Sequence, residues 1–161
     1  MDQKKAAMYA AICGAIVFIG VLLPWYSVSA SGPMSESARV GISGSANGTQ
    51  GDFMGTFTLI FGLIGGGAAA LIWKGAKGLP MSPKQLSLVA LGMLGLGALF
   101  TLIDVVSHGK GVDIGLGLSA GKSFGIYLTL LAALAGTYCG WVLYQTTPGS
   151  GSTPPGAPPS A

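Results

Sequence analysis

Charge is what this sequence has least of. Its 161 residues include five acidic and eight basic side chains, 8 % of the chain, where a soluble domain carries about 25 %. So few charges cannot solvate a water-facing surface, and lipid is the expected solvent for most of the chain. Histidine occurs once and cysteine twice. A lone His108 supplies no Ser/His/Asp set and no HExxH motif. Cys13 and Cys139 lie inside apolar runs without CxxC spacing, so each reads as a free, small hydrophobe. The apolar runs hold no paired carboxylates, and the methionines are too scattered to form a copper-handling row. No catalytic residue, cofactor or metal ion is expected. The net charge of +3 gives little reason to expect a nucleic-acid partner, because the lysines flank apolar runs and topology accounts for them first.

What is present is long apolar sequence. Residues 54–73 read MGTFTLIFGLIGGGAAALIW, with no charge. Twenty helical residues span about 30 Å, the hydrocarbon thickness of a bilayer. Three further runs have the same character. The expected fold is an all-α integral membrane protein: a four-transmembrane-helix bundle made of two helical hairpins, with helices at about 6–25, 53–73, 86–106 and 123–144. This domain, 1–144, is followed by a tail, 145–161, made mostly of Pro, Gly, Ser and Thr, which cannot bury a core. The first run exceeds the 7–15 residues typical of a signal-peptide core, and Trp25-Tyr26 reads as an interfacial anchor. A retained helix is therefore expected rather than a cleaved leader.

The loop 27–52 alternates at Tyr26-Ser27-Val28-Ser29 and again at Arg39-Val40-Gly41-Ile42-Ser43, a pattern that suggests a short β-hairpin. In the loop 74–85, Pro80 and Pro83 are expected to stop helical continuation. Placing both termini and that loop inside puts Lys4, Lys5, Lys74, Lys77 and Lys84 in the cytoplasm and Arg39, Lys110 and Lys122 outside. This agrees with the positive-inside rule. The expected location is a cell membrane, multi-pass, of bacterial type.

The chain contains 28 glycines, and small residues recur at helical spacing in every run. The ridges are Ala10 and Gly14, Gly62 and Gly66, Gly92 and Gly95, and Ala132, Gly136 and Gly140. Such ridges let helices approach closely in lipid. The third run has neither Trp nor Tyr, which suggests that it is the least lipid-exposed. A self-match at an offset of 70 aligns Gly51, Gly55 and Phe57 with Gly121, Gly125 and Tyr127. It reads either as a duplicated helical hairpin or as two outer junctions built alike.

Few residues suggest chemistry. Gly121-Lys122-Ser123 resembles the end of a phosphate-binding loop, but the required earlier glycine is Leu116, so no nucleotide is expected. Asp104 is the only ionisable residue in the third run and sits near its outer end, where it could reach the interface. With His108, four residues on, and Asp113 it makes the sole cluster of functional polar candidates. The plan of four helices with a longer first outer loop is similar to the claudin-like tetraspan arrangement, in architecture only, since the loop 27–52 has neither Trp nor Cys. Small multidrug transporters share the helix number but use a carboxylate in the first helix, and 6–25 has none. The expected role is a non-enzymatic accessory, assembly or scaffolding subunit that packs against other membrane proteins or itself. A small channel or transporter, lined by Thr56, Thr58, Thr101, Thr129 and Thr137, is one alternative. An outer-face module in which Arg39, Lys110 and Lys122 bind lipid head groups or a periplasmic partner is another.

Overall fold

The computed structural model describes residues 1–30, 44–51, 53–75, 81–107, 112–113 and 118–148. Four long helices dominate: α1 (Gln3–Leu22), α3 (Phe53–Trp73), α4 (Pro83–Ser107) and α5 (Phe124–Thr146), with a single turn, α2 (Gly48–Gly51), before α3. Each of the four is long and apolar enough to cross a membrane. The expected boundaries hold to within a few residues. α1 ends at Leu22 rather than at residue 25 because Pro24 opens a strand. Pro83 does not block a helix; it begins α4, where its missing N–H costs nothing. The tail beyond 148, Lys77 and Pro80 lie outside the described residues.

The helices form a four-sided bundle in which α1 packs on α3 and α5, and α4 packs on the same two. Every helix therefore has two neighbours. The same share of each, 39 % of its most apolar stretch, is buried. The third of these helices, α4, is thus no more enclosed than the others, and its lack of Trp and Tyr was a misleading sign. Aromatics report the depth of a position, not which way its helix faces.

The interior has two layers. One is mostly alanine with Leu86, Leu94 and Leu143, at the end that carries the chain's N-terminus. The other contains Val17, Val21, Trp25, Ala98, Ile126, Ala132 and Ala133. Glycine decides how closely α1 and α3 cross. A Cβ added to Gly14 would lie 2.6 Å from Gly66 Cα and 3.0 Å from the Gly62 carbonyl. Gly62 in turn receives Val17, Gly136 receives Cys13 and Leu94, and Gly140 packs on Leu91. Ala10 and Ala132 are buried in the layers. Gly95 only touches Thr137, and Gly92 has nothing within 4 Å. The ridge at Gly92 and Gly95 therefore does not form a tight seam inside this chain: Gly92 faces outward.

A four-stranded antiparallel sheet covers the other end. Its strands are β1 (Pro24–Ala30), β2 (Gly44–Asn47), β3 (Val112–Asp113) and β4 (Leu118–Lys122), in the order β2-β1-β4-β3. The segment between α1 and α3 does form an antiparallel strand pair, but β1 pairs with Gly44–Asn47; the stretch 39–43 lies outside the described residues. The pairing of β1 with β4 joins the α1–α3 and α4–α5 connections, with Tyr26 opposite Lys122 and Ser27 opposite Gly121. Asn47 ends β2 by folding back. Its side-chain oxygen accepts from the Thr49 N–H at 3.1 Å and the Thr49 hydroxyl at 2.8 Å, a local turn typical of Asn.

The internal match has structural counterparts. Gly55 and Gly125 each open a helix against backbone: a Cβ on Gly55 would collide with the Gly48 carbonyl, and one on Gly125 would lie 2.6 Å from the Pro24 carbonyl. Phe57 and Tyr127 both face outward. Exchanging the two halves also preserves the cyclic order of the helices. It does not preserve the sheet, whose central pair, β1 and β4, is not a pair of equivalent strands.

Candidate functional site

The stripe that α4 turns inward runs Leu94, Ala98, Thr101, Asp104. These positions recur every three or four residues and so share a face. Asp104 therefore points into the bundle rather than reaching for the interface, and it is 1 % exposed. A buried carboxylate is costly unless hydrogen-bonded. The Tyr26 hydroxyl supplies that bond, lying 2.8 Å from both carboxylate oxygens. The two residues are 78 apart in sequence, and the sheet brings them together.

The start of β1 shows how. Its register slips between Pro24 and Tyr26, leaving Trp25 as an extra residue. Successive side chains of a regular strand point to opposite faces, whereas a bulge re-aims them. Here two consecutive aromatics engage the bundle. Trp25 is 1 % exposed, donates from Nε1 to the Gly20 carbonyl at 2.9 Å, and lies over Gly48, where a Cβ would come within 2.7 Å of its ring. Trp25 is thus a plug at the sheet end of the bundle, not an interfacial anchor. Tyr26 reaches past it to Asp104.

Lys122, across the ladder from Tyr26, donates its amine to the Val105 carbonyl. Val105 lies in the last turn of α4, where exposed carbonyls make the helix end negative and favour a cation. The Ser123 N–H donates to the Trp25 carbonyl at 2.7 Å, fixing the junction of β4 and α5 against β1. Gly121 and Lys122 are therefore strand residues, and the resemblance to a phosphate-binding loop ends there. The Lys122 amine thereby ties β4 to the last turn of α4. Arg39 and Lys110 lie outside the described residues.

The threonines are bonded within their own helices. Thr58, Thr101, Thr129 and Thr137 each donate to the carbonyl four residues earlier, at 2.7–2.9 Å. Thr58 and Thr101 also meet at 3.4 Å between α3 and α4. Thr56 is exposed. No buried side-chain nitrogen or oxygen among the described residues lacks a hydrogen-bond partner.

Of the expected polar cluster, the structure places only Asp104 in full. Asp113 is described through its backbone, in β3 opposite Ser119, and His108 lies outside the described residues. Sequence reasoning missed Tyr26, which bonds Asp104, and Lys122, which bonds the last turn of α4. The inward stripe ending at Asp104 was readable from spacing; its partners were not, since nothing local links β1 to β4. At the opposite end, Lys84 lies 3.7 Å from the centre of the Tyr144 ring and donates to the Tyr144 carbonyl, tying α4 to α5. Compared with protein-family models, curated proteins and solved structures, the chain matches none.

Proposed function

We propose that this protein is a non-enzymatic, multi-pass membrane subunit that acts as a rigid packing body for other membrane proteins or for itself. The sheet would form the outer face, and both termini would lie in the cytoplasm. The observation that carries this reading is the use made of the polar groups. Asp104, Tyr26 and Lys122 lock the sheet onto the end of α4. The threonines are bonded to their own helices, and Trp25 and Leu94 fill the interior. Among the described residues these groups are hydrogen-bonded within the bundle, which supports a closing role for them. The exterior offers what a partner or lipid would contact: apolar helix faces and a small sheet with two short edge strands.

The basic residues support this orientation. Lys4, Lys5, Lys74 and Lys84 belong to the helix ends remote from the sheet, which fits a cytoplasmic side rich in lysine. The test is purification from native membranes in mild detergent, with particle mass and mass spectrometry of companions. A large particle with defined companions, or a stable homo-oligomer, is expected. A lone monomer would overturn the subunit reading.

One observation favours a second reading. An intramembrane carboxylate often marks an ion or proton path, and Asp104 is buried near the outer end. Under this reading the protein is a small channel or transporter in which Asp104 exchanges its Tyr26 contact for a permeating cation. Flux lost on Asp104→Asn would favour it.

A further inference from the structure

Two cysteines occur in the whole chain, one in the first helix and one in the last, and the fold brings them together. α1 and α5 run side by side in opposite directions. At the end remote from the sheet, Gln3 Nε2 donates to Thr147 Oγ1 at 3.2 Å. At the sheet end, Gly20 packs on Thr129 so closely that a Cβ there would lie 2.5 Å from the hydroxyl. Midway, Cys13 packs on Gly136, where a Cβ would come within 3.0 Å of Cys13 Cβ. Cys139 follows Gly136 by three residues and so shares the face turned to α1. Cys13 and Cys139 therefore lie on the facing sides of the α1–α5 seam, within one helical turn of each other. Both are free and half-buried. The absence of a side chain at Gly136 is what lets Cys13 approach α5 at this level.

We propose that Cys13 and Cys139 form a dithiol–disulfide couple that exchanges two electrons with a lipid-soluble oxidant of the quinone class. The proposal rests on the reading that these helices cross a bilayer. Oxidation breaks both S–H bonds and forms one S–S bond. Two electrons and two protons pass to the quinone, which leaves as the hydroquinone. The site selects this chemistry over its rivals. A soft metal ion would need thiolates, and charge is expensive in an apolar seam; a disulfide is neutral. Hydrophilic oxidants such as a charged peptide disulfide do not enter hydrocarbon, whereas a quinone does. The bond would staple the first helix to the last, fixing the α1–α5 seam in the oxidised state and leaving it free to shift in the reduced state.

The test uses the full chain in liposomes with and without a short-chain quinone, followed by denaturation, alkylation with N-ethylmaleimide and intact-mass measurement. The expected result is loss of both alkylation sites and of two hydrogens from the monomer, many-fold faster with quinone present. In Cys13→Ser and Cys139→Ser, the remaining thiol should stay alkylatable; Cys13→Ala and Cys139→Ala serve if the serine variants do not fold. Two persistent thiols in the presence of quinone would overturn the couple. So would disulfide-linked dimers, or equal thiol loss in the single variants. Carbonate extraction of the same vesicles separates the two readings. Protein released by carbonate overturns the membrane placement and the couple with it, whereas retained protein with two free thiols overturns the couple alone.

Discussion

The crossing of α1 and α3 at Gly14 makes the sharpest demand on sequence. A methyl group there would lie 2.6 Å from Gly66 Cα and 3.0 Å from the Gly62 carbonyl, where ordinary contact begins at 3.4 Å. The obstacles are backbone atoms, which cannot swing aside as a side chain can. Gly14→Ala must therefore push the two helices apart by about 1 Å at this level, loosening the contacts above and below, where dispersion falls off steeply with separation. Overpacking of this kind costs about 1–3 kcal/mol. Replacing glycine with alanine inside a helix also brings a gain of about 0.5–1 kcal/mol. Gly92→Ala is the control, because nothing lies within 4 Å of a Cβ there and only the gain applies. The difference between the two variants isolates the steric cost. Equilibrium unfolding in mixed micelles, titrated with a denaturing detergent, would read it directly. Gly14→Ala should be less stable than Gly92→Ala by about 1–3 kcal/mol. Equal stability would refute the close crossing and with it the bundle geometry around it.

Three further outcomes are expected. Tyr26→Phe should destabilise the protein by about 1–3 kcal/mol, because a hydrogen bond to a buried carboxylate is lost, while Tyr26→Phe combined with Asp104→Leu should recover part of that loss in a double-mutant cycle; strict additivity would mean the two do not interact. Trp25→Ala should cost about 3–5 kcal/mol, the range for removing a buried aromatic, whereas a lipid-facing anchor would cost far less; the same detergent titration distinguishes them. Thr137→Val should change stability by less than about 1 kcal/mol, since its hydroxyl bonds to its own helix and valine keeps the methyl that faces Gly95, and a larger loss would reveal a hydrogen bond between helices.

The sequence made the helices legible and left their partners obscure. Four apolar runs near twenty residues announce four helices long enough to cross a membrane whatever their neighbours, since length and apolarity are properties of the segment alone. Spacing also marked which face of each helix carries small residues, and Gly14, Gly62 and Gly66 do meet. It could not say that Gly92 turns away, because a ridge records what a face permits, not what is placed against it. The period-two signal at residues 26–29 identified a strand. Its second neighbour, β4, has the sequence Leu-Ser-Ala-Gly-Lys and gives no comparable signal; that pairing depends on the bundle holding the two loops side by side. Trp25 was misread for a related reason. Trp suits the membrane interface by its amphipathic ring, but a bulge in β1 sends it inward, where Gly48 leaves room for it. The link between Tyr26 and Asp104 joins segments that only the tertiary fold unites.

The central claim is that the polar groups close this bundle rather than open a path through it, and flux reports on that most directly. Purified protein would be reconstituted into liposomes loaded with pH- and cation-sensitive dyes, with wild type, Asp104→Asn and Trp25→Ala compared against protein-free vesicles. The account predicts that wild type conducts no more than empty vesicles and that Asp104→Asn changes nothing. Trp25→Ala tests the plug, and any leak should appear there alone. Wild-type flux that disappears in Asp104→Asn would contradict the account and make the buried carboxylate a transport site.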